Sequence, residues 1–254
     1  GKYTDIAKAL EHADSMFAAG ASYVDVGGEA TNPTAEPITE DEEWQRLEPI
    51  LSVLLPRYGE KISVDTRHPE IVERAIRYGR FIVNDVTTFI DPKMIAVTAR
   101  HGLTAIASHL PLAAQGNIQD AHELFRISDT SQVVEELKVQ RTRMIDGGIA
   151  AKDIIIDPGI GFGKTRLVDW RLLSFANMWS SEAPYAVQAF MIGASCKRFL
   201  ATDYETGLPL EGVNRYTPGL SVEAAKFAIK TTPAGRRLML RVHDVAAHAE
   251  LIAA

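Results

Sequence analysis

The chain has 254 residues, 46% hydrophobic and 24% charged, the balance of an ordinary soluble globular protein. Its formal net charge is −6 with no lysine- or arginine-rich tract, which argues against nucleic acid as the main partner and leaves room for a locally positive pocket. No apolar run approaches the ~20 residues of a membrane span, and no basic-then-apolar leader opens the chain. The single cysteine, Cys196, excludes an intrachain disulfide and fits a cytoplasmic location.

In chain order, the pattern predicts a helix at 5–19, a strand at 23–26, a helix at 41–55 and a strand at 61–64. A helix at 70–78 and strands at 81–83 and 103–107 follow. Then come a helix at 132–146, a strand at 153–156, a helix at 168–178 and a strand at 187–192. A helix at 222–230, a strand at 238–242 and a helix at 245–252 complete the chain. No low-complexity segment or linker divides it, so 1–254 reads as one domain. Repeated strand–helix alternation implies a mostly parallel α/β sheet. Seven strands are one short of a (β/α)8 TIM barrel, and the first helix has no strand before it. The simplest account is a barrel whose first strand and loop lie upstream of Gly1. A doubly wound open sheet is the competing fold, weakened because no Gly-x-Gly-x-x-Gly turn follows an early strand.

Polar groups recur just past the apolar strands, as at a barrel mouth. Asp25-Val26-Gly27-Gly28 runs into a loop with Thr31, Asn32 and Pro33; the bland alternative is a strand-ending turn. Asp65, Asn84-Asp85 and Asp157 also end strands. Singly, each reads as a helix cap. Together they could bind a metal or hold the donor-rich edge of a nitrogen heterocycle, because an ionised carboxylate only accepts. Asp157-Pro158-Gly159-Ile160-Gly161-Phe162-Gly163-Lys164 is the most informative run. Its three glycines let backbone crowd against something flat or anionic. Gly193-Ala194-Ser195-Cys196-Lys197 follows the next strand. Lys197 could donate to a carbonyl or phosphate, or form a Schiff base. Arg241 and His243 share one strand face and could clamp an anion such as a pyrophosphate. Asp244 reads as the cap of the last helix. His109 is equally a pocket or a structural histidine. Cys196 and the three tryptophans read as packing. The stretch 201–220, rich in Gly, Pro and acidic residues, is a long loop whose purpose the pattern does not give; it could cover the site, since the Ser195–Lys197 end is its neighbour.

These motifs, in this order, resemble dihydropteroate synthase of the folate pathway over nearly the whole chain. The parts that carry the resemblance are 25–33, 63–66, Asn84-Asp85, 157–164, 193–197 and the final Arg241-Val242-His243-Asp244. The resemblance implies condensation of 6-hydroxymethyl-7,8-dihydropterin pyrophosphate with p-aminobenzoate, giving dihydropteroate and pyrophosphate, with Mg²⁺ assisting. It implies that Asp65, Asn84, Asp157, Gly161, Phe162, Gly193 and Lys197 hold the pterin. Thr31, Pro33 and Ser195 lie by p-aminobenzoate, and Thr31, Asn32, Arg241 and His243 by pyrophosphate. Lys197, Asp65, Arg241 and His243 are the expected catalytic groups. The expected metal ligand lies upstream of Gly1, so no metal ligand is expected within the chain. A cytoplasmic homodimer without membrane or nucleic-acid partners is also implied. Gly1-Lys2-Tyr3 resembles the tail of the family's first loop.

The chain also departs from the pattern. Ala30-Thr31-Asn32-Pro33 puts asparagine where the family has an anion-binding arginine. Ser195-Cys196-Lys197 replaces Ser-Arg-Lys, and Ser108-His109-Leu110 replaces Met-His-Met. These changes motivate a second reading, a pterin-binding paralogue with little or no synthase activity. A third is an unrelated barrel enzyme that uses Lys197 as a Schiff base.

Overall fold

The computed structural model describes residues 6–31, 35–179, 187 and 189–253. Its elements are α1 (Ile6–Ala18), β1 (Val24–Gly27), α2 (Glu40–Tyr58), β2 (Ile62–Asp65), α3 (Pro69–Ala75), β3 (Ile82–Asp85) and α4 (Pro92–Arg100). Then follow β4 (Thr104–Ser108), α5 (Ile118–Leu124), α6 (Thr130–Asp146), β5 (Ile154–Asp157), α7 (Arg166–Arg171) and α8 (Phe175–Met178). The series ends with β6 (Ala189–Ile192), α9 (Pro218–Thr231), β7 (Leu238–Leu240) and α10 (Val245–Ala253).

Local chemistry sets the borders. Thr39 caps α2 reciprocally: its hydroxyl accepts from Glu42 N, and the Glu42 carboxylate accepts from Thr39 N. The expected helix at 168–178 is broken by a 3₁₀ turn, Leu172–Ser174, into α7 and α8. Two short helices, α4 and α5, lie where no helix is predicted. Each is announced only by its cap, Asp91 accepting from Lys93 N and Asn117 accepting from Asp120 N. Their periodic pattern is too short to stand out.

All seven strands pair in parallel in chain order, β1 to β7. The sheet curls without closing. β1 and β7 are its edges, and no ladder joins them among the described residues. Yet Arg241, just past β7, reaches Asp25 on β1 at 2.5 Å. The architecture is therefore a curled, open seven-stranded parallel sheet, not a complete barrel.

Strand side chains alternate between faces, and this pleat sorts the whole sequence. Ile62, Val64, Val83, Ala105, Ala107, Ile154, Ile156, Phe190 and Ile192 face outward, into one core with Leu47, Leu51, Met94, Leu137, Leu172 and other helix residues. The opposite parity faces the concave side. Ile82, Ile106, Ile155, Ala189 and Met191 form a separate apolar floor, with Met239 packed against it. One step further along the same parity come Asn84, Ser108, Asp157, Gly193 and Arg241. Polar groups thus gather at the C-terminal ends of the strands above an apolar floor.

Candidate active site

The register brings the strand-end polar groups side by side: Gly27 opposite Asp65, Asp65 opposite Asn84, and Ser108 opposite Asp157. Their side chains form one chain of contacts. The Arg241 guanidinium bridges Asp25 (2.5 Å) and Asp65 (2.8 Å). Asn84 Nδ2 donates to Asp25 Oδ1 (3.2 Å), while Ser108 Oγ lies 3.4 Å from Asn84 Oδ1 and donates to Asp157 Oδ2 (3.1 Å). Burial pushes the Asp65 carboxyl up to about 7; Arg241 opposes the rise, and the neighbouring Asp25 charge adds to it. The Arg241 guanidinium is in turn held firmly protonated by Asp25 and Asp65. Burial also raises Asp157, against the Gly159 N–H and the charges of Arg241 and Lys197.

The loop after β5 is built on its glycines. Asp157 Oδ1 accepts from Gly159 N (2.8 Å), folding the loop back on the strand end. Gly159 has φ +62°, and a Cβ there would overlap the His109 carbonyl oxygen, so only glycine fits. Gly161, at φ +88°, donates its N–H to the buried Asp169 of α7 (2.7 Å). Phe162 follows, and the Lys197 ammonium sits 4.7 Å from its ring centroid, in cation–π range. Burial and Arg241 lower the Lys197 pKa, while Asp157, Asp169 and Asp65 raise it.

Lys164 ends the same motif but faces away from the ligand space. Its ammonium is buried and donates to Phe162 O (2.8 Å), Gly159 O (2.9 Å) and His109 Nδ1 (2.9 Å), stapling the loop from behind. His109 Nε2 in turn donates to Glu136 (3.2 Å). Burial and Lys164 lower the His109 pKa to about 4, so the ring is neutral. His109 and Lys164 are thus structural partners of the loop. Asp85 is structural too: its carboxylate accepts from Thr87 N, Thr87 Oγ1 and Phe89 N.

Ser195 and His243 meet, with His243 Nδ1 and N at 3.0 and 3.3 Å from Ser195 Oγ. Cys196 between Ser195 and Lys197 adopts φ +59°, and its N–H donates to Ser221 Oγ (3.3 Å). Asp244 caps α10 through Ala247 N, as its position predicts. Thr31 is held through its carbonyl by His122 Nε2 (3.2 Å). Asn32 and Pro33 lie outside the described residues.

A cavity of about 620 Å³ opens on this concave face, and Thr31, Ser108, Asp157, Phe162, Lys197 and His243 are among its walls. Asp65 and Asn84 are not among its walls but contact residues that are, Asp65 through Arg241 and Asn84 through Asp25 and Ser108. None of residues 201–220 is among its walls. The loop folds on itself instead, with a Thr202–Pro209 bridge and Gly207 against Arg166 and Leu167. The negative charge of the Asp25–Asp65 pair is committed to Arg241. Among the described residues no group of three or more His, Cys, Asp or Glu side chains is placed to hold a metal ion.

From sequence, Asp25 and Ser108 are already among the polar strand-end groups of one pocket, without a ligand role of their own. Asp169 and His122 sit on helices, and their reach into the site carries no local signal.

Comparison with known proteins places this geometry. The family described as pterin binding enzyme matches residues 1–232. Dihydropteroate synthase of Escherichia coli (strain K12) is 33% identical over 175 residues, covering 68% of this chain and 61% of that protein. The match thus spans about three fifths of that relative's length. Dihydropteroate synthase from Thermus thermophilus, solved in complex with 4-aminobenzoate, is 34% identical with a TM-score of 0.75, covering 96% of this chain and 87% of that one. The same enzyme in complex with 6HMPPP is 33% identical with a TM-score of 0.76, over 97% and 87%. The Yersinia pestis dihydropteroate synthase, solved with a sulfonamide drug complex, is 26% identical with a TM-score of 0.82, over 100% and 86%.

Proposed function

We propose that this chain, which belongs to the pterin-binding enzyme family, is a dihydropteroate synthase. It joins 6-hydroxymethyl-7,8-dihydropterin pyrophosphate to p-aminobenzoate, with pyrophosphate as leaving group. The observation that carries this reading is the pairing of Asp157 and Lys197 on one cavity, with Phe162 beneath the Lys197 ammonium. A pterin offers an N–H and an amino group on one edge and a carbonyl beside them. Asp157 accepts from the first two, Lys197 donates to the third, and the ring lies against Phe162 and Gly161. Asn84 and Ser108 orient Asp157, Gly193 leaves room beside Arg241, and Asp65 meters the Arg241 charge.

Breaking the C–O bond leaves the electron pair on pyrophosphate and positive charge on the pterin methylene. Arg241, His243 and Thr31, together with Asn32, stabilise the leaving group, and the carboxylates stabilise the methylene. The p-aminobenzoate amine, held near Thr31, Pro33 and Ser195, attacks the methylene carbon and releases one proton. No covalent enzyme intermediate is needed, so Lys197 is a donor and not a Schiff base. Mg²⁺ belongs to this reading as a companion of the pyrophosphate oxygens, and no step above depends on it.

The same reading takes 1–254 as one domain and adds an eighth strand between β7 and β1. Ser63 Oγ and His248 Nε2, two buried polar atoms without a hydrogen-bond partner, belong to residues that line the cavity. It takes the protein as a cytoplasmic homodimer. No helix among the described residues is long and apolar enough to cross a membrane.

The test is pyrophosphate release by the full-length protein supplied with dihydropterin pyrophosphate and Mg²⁺, with and without p-aminobenzoate. Release that requires p-aminobenzoate, and disappears in Asp157→Ala and Lys197→Ala, supports the reading. Pterin binding without release overturns it in favour of a binding paralogue, with Asn32→Arg as the next variant.

A further inference from the structure

The loop after β1 carries Thr31, and two hydrogen bonds reach it from a distant part of the chain. His122 Nε2 donates to Thr31 O (3.2 Å) and Gln119 Nε2 donates to Ala35 O (3.0 Å). Both donors stand on α5, three positions apart and hence on one helix face. α5 follows β4, three strands away from β1 in the sheet. The other ties on this loop come from its own side. Arg46 donates to Gly28 O, the Arg67 fork grips Glu29 (2.8 and 3.0 Å), and Glu29 accepts from Ile38 N (3.1 Å).

The adjoining side of α5 rests on the loop after β5. Ile118 and Ala121 pack with Phe162, Val86, Leu110 and Ala114 in a small core of their own, apart from the main one. The His122 ring also lies over Phe162, 5.1 Å between centroids, and Phe162 carries the Lys197 ammonium. A continuous line of contacts therefore runs from Thr31 through His122 to Phe162 and Lys197. Burial lowers the His122 pKa, against the Thr31 carbonyl, which raises it; Arg198, Lys197 and Arg126 lower it further. A neutral ring with its proton on Nε2 satisfies this geometry.

We infer that α5 is a strap between the β1 loop and the loop after β5 and that His122 is a positioning residue, setting the β1 loop at a fixed distance from the Phe162 face. Resting on the synthase reading, the role is specific. The aromatic amine is held on the β1 loop and the electrophilic methylene over Phe162. Their approach to reacting distance depends on how these two loops are spaced. His122 touches neither reactant in this arrangement. It acts through the Thr31 carbonyl on one side and the Phe162 ring on the other.

The experiment compares His122→Ala and His122→Gln with the unaltered full-length protein. Three quantities are read: the KM for p-aminobenzoate, the Kd for 6-hydroxymethylpterin, and amide hydrogen exchange of the peptide spanning residues 28–38. One neutral hydrogen bond corresponds to about a 3- to 10-fold effect. His122→Ala is expected to raise the p-aminobenzoate KM by that factor, leave the pterin Kd within about 2-fold, and speed exchange in 28–38. His122→Gln keeps an N–H donor and returns most of the KM and the protection. Unchanged exchange in 28–38, or a pterin Kd that rises as much as the KM, overturns the inference. If the unaltered protein shows no p-aminobenzoate-dependent turnover, the synthase reading fails, and exchange in 28–38 alone then decides whether α5 straps the loop. A His122→Ala protein that melts well below the unaltered one is replaced by Gln119→Ala, which removes the Ala35 tie without touching Phe162. Faster exchange in 28–38 is the expected result there, and unchanged exchange overturns the strap.

Discussion

Replacing Arg241 with glutamine keeps much of the side-chain volume and removes the one charge that Asp25 and Asp65 share. The guanidinium lies 2.5 Å from Asp25 and 2.8 Å from Asp65, and the side chains of Arg241 and Asp65 are 39% and 10% exposed. Breaking a fully buried ion pair costs about 3–5 kcal/mol and an exposed one about 0–1. The 39% exposure of Arg241 places this site between them, at about 2 kcal/mol. For a domain of this size that is a fall in Tm of roughly 4–8 °C. The pH dependence is the sharper part. Burial already raises Asp65 from 3.8 to about 7, and Arg241 is the largest influence holding it down. A carboxyl with a raised folded pKa takes up a proton on folding. Its contribution is therefore favourable below about pH 4 and lost as pH rises through about 7. Without Arg241 the folded pKa climbs further, so the part of the deficit that comes from Asp65 is small at pH 5 and grows as pH rises above about 7. His109, lowered to about 4 by burial and Lys164, acts in the opposite sense, but equally in both proteins, and cancels in the difference. Thermal melts of both proteins at pH 5 and pH 8 measure this. Equal deficits at the two pH values, or no deficit at pH 8, would refute the reasoning.

Asp157→Asn keeps the shape but replaces an acceptor with an amide that donates; pterin affinity by titration calorimetry is expected to fall about 10- to 100-fold, the loss of one charged hydrogen bond. Gly159→Ala forces a Cβ into the His109 carbonyl at a backbone φ of +62°, so the β5 loop must move and both pterin binding and Tm should drop. Retention of unaltered affinity would show that this loop does not form the pterin floor. Lys164→Met strands the carbonyls of Gly159 and Phe162 and leaves His109 Nδ1 unpartnered. Denaturant unfolding is expected to show a loss of about 2–4 kcal/mol, and a neutral outcome would deny Lys164 its stapling role.

Much of this protein is legible from residue order. Apolar runs bounded by glycine, aspartate and proline locate all seven strands, because buried parallel strands need continuous Val, Ile and Ala. Period-two parity then puts Asp65, Asn84, Asp157 and Arg241 at the strand ends where one site can gather them, since the pleat leaves little alternative. Short helices are not legible. α5 is seven residues long and its buried apolar residues, Ile118 and Ala121, pack with Phe162, a partner about forty residues away. The same holds for Lys164. Its place in the motif gives no direction for the side chain, and the fold turns it inward, where three acceptors converge behind the loop.

The sequence by itself determined the strand count, the parallel alternation and the chemical types at the strand ends, all of which depend on local spacing and burial. Tertiary structure alone decided which charges meet. Asp25 and Arg241 are more than two hundred positions apart, and only the curl of the sheet brings them within 2.5 Å. Whether a carboxylate is spent on a guanidinium or left for a ligand depends on that distance, because charge interactions in a buried site are set by separation and solvent exclusion, and neither is written in residue order.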